Sequence, residues 1–134
     1  MAIVADYLVV ARAVFSLKLG TVSLPDRNDM SFTVTFPAGT ALDRGEPILH
    51  YVADVGLTAG QIGIAVDVNG AEVHRRTFLG QRDVFCQAIV SGSAFHAGNN
   101  TLRFRPVVPN NNTTQSIMFS SVVLWFQRDT AAAG

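Results

Sequence analysis

The stretch Gln61-Ile62-Gly63-Ile64-Ala65-Val66-Asp67-Val68, followed by Asn69-Gly70 and then Ala71 onward, decides the fold class. Its side chains alternate between core-seeking and solvent-seeking types, the period of a half-buried strand. Asn-Gly between two such runs is the strongest short-range hairpin signal, because both central residues of a type I′ turn need positive φ. The reading is two antiparallel strands joined by a two-residue loop.

Outward from this hairpin, the same alternation recurs on both sides. Residues 31–36 set Phe32, Val34 and Phe36 on one face. Residues 48–55 place Leu49, Tyr51, Ala53 and Val55 opposite Ile48, His50, Val52 and Asp54. Residues 83–90 and 101–108 read as further strands, the second shortened or driven to a sheet edge by Pro106 and Pro109. Residues 116–127 are apolar on both parities, which predicts a central strand covered on both faces, with Trp125 in the core. The opening residues 3–24 are apolar and rich in β-branched side chains, which favours strand over helix. Turn chemistry marks residues 25–29, 41–47, 56–60 and 110–114.

The vocabulary agrees. Valine occurs 17 times, threonine 10 and phenylalanine 9, whereas Lys18 is the only lysine and Glu46 and Glu72 are the only glutamates. Eight or nine strands with turns between them predict an all-β chain, an antiparallel β-sandwich of jelly-roll type. With 134 residues and no linker or repeat, residues 1–134 read as a single domain.

Ten basic and ten acidic residues cancel, and at 15% charged the chain is poorer in charge than the roughly 25% usual for soluble domains. Disorder, a charged tail and bulk-charge affinity for nucleic acid are excluded on these numbers. No run of 18 apolar residues suggests a transmembrane helix. So little charge leaves apolar surface to hide, and a homo-oligomer is expected. Residues 1–67 carry a net −3 and residues 68–134 a net +3, which suits subunit packing better than a nucleic-acid groove. Asp6 and Arg12 interrupt the N-terminal apolar stretch, so no secretory signal is read there; a cytoplasmic location or another export route is expected.

Residues 46–127 resemble the galactose-binding-domain-like jelly roll of carbohydrate-binding modules. The residues that carry the likeness are Pro47-Ile48-Leu49-His50-Tyr51-Val52-Ala53-Asp54, Ile64 through Gly70, Gly98-Asn99-Asn100-Thr101-Leu102 returning into a strand, and Val122-Val123-Leu124-Trp125-Phe126. Folds of this kind host lectin-like modules, enzyme appendages and assembly subunits alike, so the resemblance implies the fold, assigns no function by itself and fixes no site residue. The first reading is a non-catalytic, lectin-like module that binds carbohydrate. The other reading is a self-assembling structural subunit on the same fold.

Catalytic chemistry is missing from the pattern. No G-x-S-x-G exists, and Cys86 shares its strand face with Val84 and Ala88, a buried hydrophobe's position. Two glutamates and scattered aspartates supply no glycosidase pair. His50, His74 and His96 lack metal-ligand spacing, so no metal or other cofactor is expected; Asp26, Asp29 and Asp43 are loop oxygens that leave only calcium open. In an unbroken hairpin ladder His74 faces Ala65 and Arg76 faces Gly63, two large polar groups beside two near-absent ones. That shelf, with His50 and Asp54 on the outward parity of residues 48–55, gives the candidate ligand-binding residues. A merely solvated face is the plainer alternative.

Overall fold

The computed structural model describes residues 3–18, 29–40, 42, 46–55, 61–79, 83–107 and 116–129. Alternating segments become nine strands: β1 (Ile3–Ala11), β2 (Phe15–Lys18), β3 (Met30–Thr35), β4 (Ile48–Val55), β5 (Gln61–Val68), β6 (Ala71–Leu79), β7 (Val84–Ile89), β8 (Asn99–Val107) and β9 (Ser116–Asp129). All pairings are antiparallel. They form a five-stranded sheet, β1-β9-β4-β7 with β2 also on β9, and a four-stranded sheet, β3-β8-β5-β6. The chain crosses between the sheets repeatedly, as in a jelly roll. The turns expected at 25–28, 56–60 and 110–114 lie outside the described residues, as does most of 41–47.

The inward parity fills the space between the sheets. Leu49, Tyr51, Ala53 and Val55 of β4 are fully buried against Ile64, Val66 and Val68 of β5 and Leu102 and Phe104 of β8. Phe15, Phe104, Phe119 and Tyr51 meet at centroid distances of 5.1–5.8 Å, as with Phe104–Phe119 at 5.1 Å and Tyr51–Phe104 at 5.8 Å. Such tilted and edge-on aromatic pairs add to the burial term. Cys86 is fully buried in this core.

The hairpin is as expected at its turn: Asn69 has φ 50° and Gly70 φ 87°. Asn69 also stitches the turn to β8, since Thr101 N–H donates to its Oδ1 at 2.9 Å and its Nδ2 donates to Asn100 Oδ1 at 2.8 Å. Asn100, buried, accepts from His96 N–H at 2.9 Å and donates to His96 O at 2.9 Å.

Three expectations are corrected. Strand β8 lies inside its sheet, between β3 and β5, not at an edge. Pro106 is tolerated because the ladder with β3 ends at Met30↔Phe104, leaving Pro106 paired to β5 through Ile64. Strand β9 is central but covered on one face only. Ser121, at φ 54°, marks a bulge: Ile117 and Phe119 point inward before it, Val122, Leu124 and Phe126 after it. The slip makes one strand apolar on both parities. Trp125 consequently stands outside, 43% exposed, and not in the core.

Candidate functional site

A bulge in the β5–β6 ladder shapes the surroundings of the site. Asp67 pairs with Glu72, but Val66 pairs with His74, so Val73 is an extra residue and every later β6 side chain changes face. Val73 packs toward the core. The shelf expected from His74 and Arg76 is therefore corrected: Arg75 faces Ala65 and Thr77 faces Gly63, while His74 and Arg76 turn to the inner side. There Tyr51 Oη lies 2.6 Å from His74 Nε2, and the Arg76 guanidinium sits 5.2 Å over the Phe78 ring. Burial, reinforced by Arg76, holds the His74 imidazole below its usual value. Burial, then Cys86, pushes the Tyr51 phenol up. His50 and Asp54 stand on the outer face of the other sheet, His50 beside Phe85 at a ring distance of 6.5 Å. The structure thus brings His74 and Arg76 together but not with His50 or Asp54.

In an unbroken strand, residues 72 and 75 would face opposite ways. The bulge puts both outside, where Arg75 Nη2 donates to Glu72 Oε1 at 2.7 Å and Arg75 Nε to Oε2 at 3.2 Å. From β8, Arg105 grips Asp67 with two hydrogen bonds of 2.8 and 3.2 Å and reaches Glu72 at 2.8 Å. Arg103 pairs with Asp29 and approaches Asp67 at 3.8 Å. Three guanidiniums and three carboxylates alternate, and their charges cancel. Asp67 is only 6% exposed, and Ala65 beneath this layer is fully buried though outside the core cluster.

The hydrogen bond from Arg75, with Arg105 behind it, holds the Glu72 carboxyl below the usual carboxylate range. Arg105 is pushed up chiefly by Asp67, and Arg75 chiefly by Glu72. Asp29, Asp67, Gly70, Glu72, Arg103, Arg105 and Pro106 line a concavity of about 370 Å³ over this lattice. Its chemistry is recognition by paired donors and acceptors; among the described residues that line it there is no hydroxyl, thiol or imidazole nucleophile.

Among the described residues, no three His, Cys, Asp or Glu side chains converge to hold a metal. Of the loop aspartates, Asp29 turns to Arg103, and Asp26 and Asp43 lie outside the described residues. Also among the described residues, no helix is long and apolar enough to cross a membrane.

Alternation with Leu102 and Phe104 turns Arg103 and Arg105 outward, and the two-residue turn sets Asp67 opposite Glu72. The β5–β8 register brings these two sets together, and the bulge adds Arg75 to them.

No protein-family model and no curated protein matches the chain in sequence. Solved structures do resemble it. A family 36 carbohydrate-binding module in complex with calcium and xylotriose matches at 10% identity and TM-score 0.43, covering 95% of this chain and 99% of that one. The first family 36 module of a multidomain xylanase from the hindgut metagenome of Trinervitermes trinervoides matches at 9% identity and TM-score 0.43, over 88% and 98%. A family 35 carbohydrate-binding module from Clostridium thermocellum matches at 10% identity and TM-score 0.46, over 87% and 98%.

Proposed function

We propose that the chain is a non-catalytic carbohydrate-binding module whose ligand contacts lie in the Asp67–Glu72–Arg103–Arg105 concavity. The observation that carries this reading is the charge-neutral alternation of guanidinium and carboxylate groups around a hollow of about 370 Å³. A sugar hydroxyl donates to a carboxylate and accepts from a guanidinium at once, so each Arg–acid pair can take one hydroxyl or a vicinal pair. Phosphate or nucleic acid would have to displace a carboxylate from each guanidinium, which disfavours both. Within the sugars, the same balance favours neutral over uronic residues.

The non-catalytic part rests on the same groups. Glu72 stays ionised at neutral pH and so offers no proton to a leaving group, and both Asp67 oxygens are engaged by Arg105. The ligand contacts are placed here and not on His50, Asp54, His74 and Arg76.

Affinity electrophoresis in soluble polysaccharides, backed by a glycan array, tests the reading. Retardation by at least one neutral glycan is expected, weakened about tenfold or more by Glu72→Gln and by Arg105→Gln, each removing one charge-assisted partner. Unchanged retardation of both variants, or no glycan bound at all, would overturn it.

A further inference from the structure

We propose that the outer face of the five-stranded sheet is a self-complementary surface that seats a second copy of this chain. Paired residues in an antiparallel sheet project to the same side. One row across four strands therefore carries Tyr7, Trp125, Ile48 and Ile89, linked through Tyr7↔Trp125, Ile48↔Trp125 and Ile48↔Ile89. The next row runs Val9, Val123, His50 and Gln87, and beyond it Val52 lies between Ser120 and Phe85, with Met118 opposite Asp54. Seven of these side chains are large, apolar and exposed: Ile89 68%, Phe85 72%, Tyr7 53%, Val9 46%, Met118 45%, Trp125 43% and Ile48 39%.

Taking roughly 200 Å² for the full surface of one large apolar side chain, the seven leave on the order of 700 Å² open to water. A stable interface takes about 800 Å² from each partner, and an unpartnered monomer rarely shows an apolar patch above 300–600 Å². The face is the right size for one copy of itself. The row of Tyr7, Trp125, Ile48 and Ile89 holds no charged side chain, so two copies meet along it without repulsion.

The row is aromatic at one end and aliphatic at the other. A two-fold axis lying in the interface, parallel to the strands between β9 and β4, sets Tyr7 and Trp125 of one copy against Ile89 and Ile48 of its partner. A flat polysaccharide is the less suitable occupant, because the Tyr7 and Trp125 rings, 5.1 Å apart, are tilted by 46° and share no plane. This surface is on the far side of the sandwich from the polar concavity, and the inference stands whether or not that concavity binds sugar.

Trp125 is the chain's only tryptophan and so reports on the face directly. The test is sedimentation of the full chain from 1 to 200 µM, with tryptophan emission recorded on the same dilutions. A mass approaching twice 14.4 kDa is expected at the upper end, with emission shifting to the red on dilution at the same midpoint. Ile89→Lys and Phe85→Glu should each weaken association tenfold or more, while Thr33→Lys, exposed on the opposite sheet, should leave it unchanged. A mass of 14.4 kDa throughout, association that ignores Ile89→Lys and Phe85→Glu, or a monomer whose Trp125 emission responds only to added polysaccharide would overturn the proposal.

Discussion

The outer faces of the two sheets solve the same exposure problem in opposite ways. On the four-stranded sheet, Asp67, Glu72, Arg75, Arg103 and Arg105 cross-link β5, β6 and β8 through charged hydrogen bonds over the small residues Gly63 and Ala65. On the five-stranded sheet, Tyr7, Trp125, Ile48 and Ile89 cross all four main strands with no polar link at all. The ten Arg and Lys and ten Asp and Glu are too few to clothe both faces. Charge spent in one lattice gives a surface that recognises polar ligands by direction. The other face recognises by area. One chain therefore carries a directional surface and a non-directional one, back to back.

That contrast is most sharply tested at Asp67. Asp67→Ala leaves Arg105 without its bidentate partner in a largely covered position, and should cost about 3 kcal/mol of unfolding free energy in urea titrations, besides abolishing sugar retention. Stability unchanged by this substitution would mean that the lattice is mere decoration.

Gly70→Val comes next. A β-branched residue is strained at φ 87°, and the turn fixes the register that brings Asp67 opposite Glu72. A loss of roughly 1–2 kcal/mol is expected. An unaltered urea midpoint would detach the charged face from the hairpin.

A smaller effect belongs to pH. The folded-state pKa of His74 is depressed, so its contribution is present above the ordinary imidazole value of 6.5 and is lost as pH falls below it, where the unfolded chain takes up a proton that the folded chain resists. The denaturation midpoint should fall between pH 7 and pH 5, and His74→Gln should flatten that slope. A slope that persists in the variant assigns it elsewhere.

The least change is expected from Phe85→Ser on the apolar face. In dilute solution, where association is absent, stability should stay within about 0.5 kcal/mol of the parent by calorimetry, because Phe85 is 72% exposed and packs little within its own chain. A large loss would show that the apolar face supports its own fold, and would erase the division between the two surfaces.

Alternation and turn chemistry made the sandwich legible. Residues 31–36, 48–55 and 61–68 appear as strands with the inward residues expected, and Asn69-Gly70 takes the turn its side chains favour. What alternation conceals is a change of parity within one strand. At Val73 it misplaced His74 and Arg76; at Ser121 it hid Trp125 in an apparent core. Val73 looks like any other strand valine, and Ser121 follows a second serine in an apolar run, so neither announces itself by composition. The first of these irregularities adds Arg75 to the charged lattice, because Glu72 and Arg75 share a side only across it, while the β5–β8 register sets the rest. The outward positions of Arg103 and Arg105 were legible; their meeting with Glu72 was not.

The irregularity at Ser121 also sets a phase. Upstream of it odd-numbered side chains go to the core, and downstream even-numbered ones do. Deleting Ser121 would remove the irregularity and keep Leu124 and Phe126 inward, whereas pairing the full-length strand without a bulge would invert the downstream frame, sending Leu124 and Phe126 toward water and Val123, Trp125 and Gln127 inward. The same twelve amino acids would then define a different exterior. Sliding the bulge by two positions would instead preserve the frame at both ends and change only the two residues left between them. The composition of this strand and the identity of its surface are thus independent variables, and the presence or absence of the bulge alters the second without touching the first.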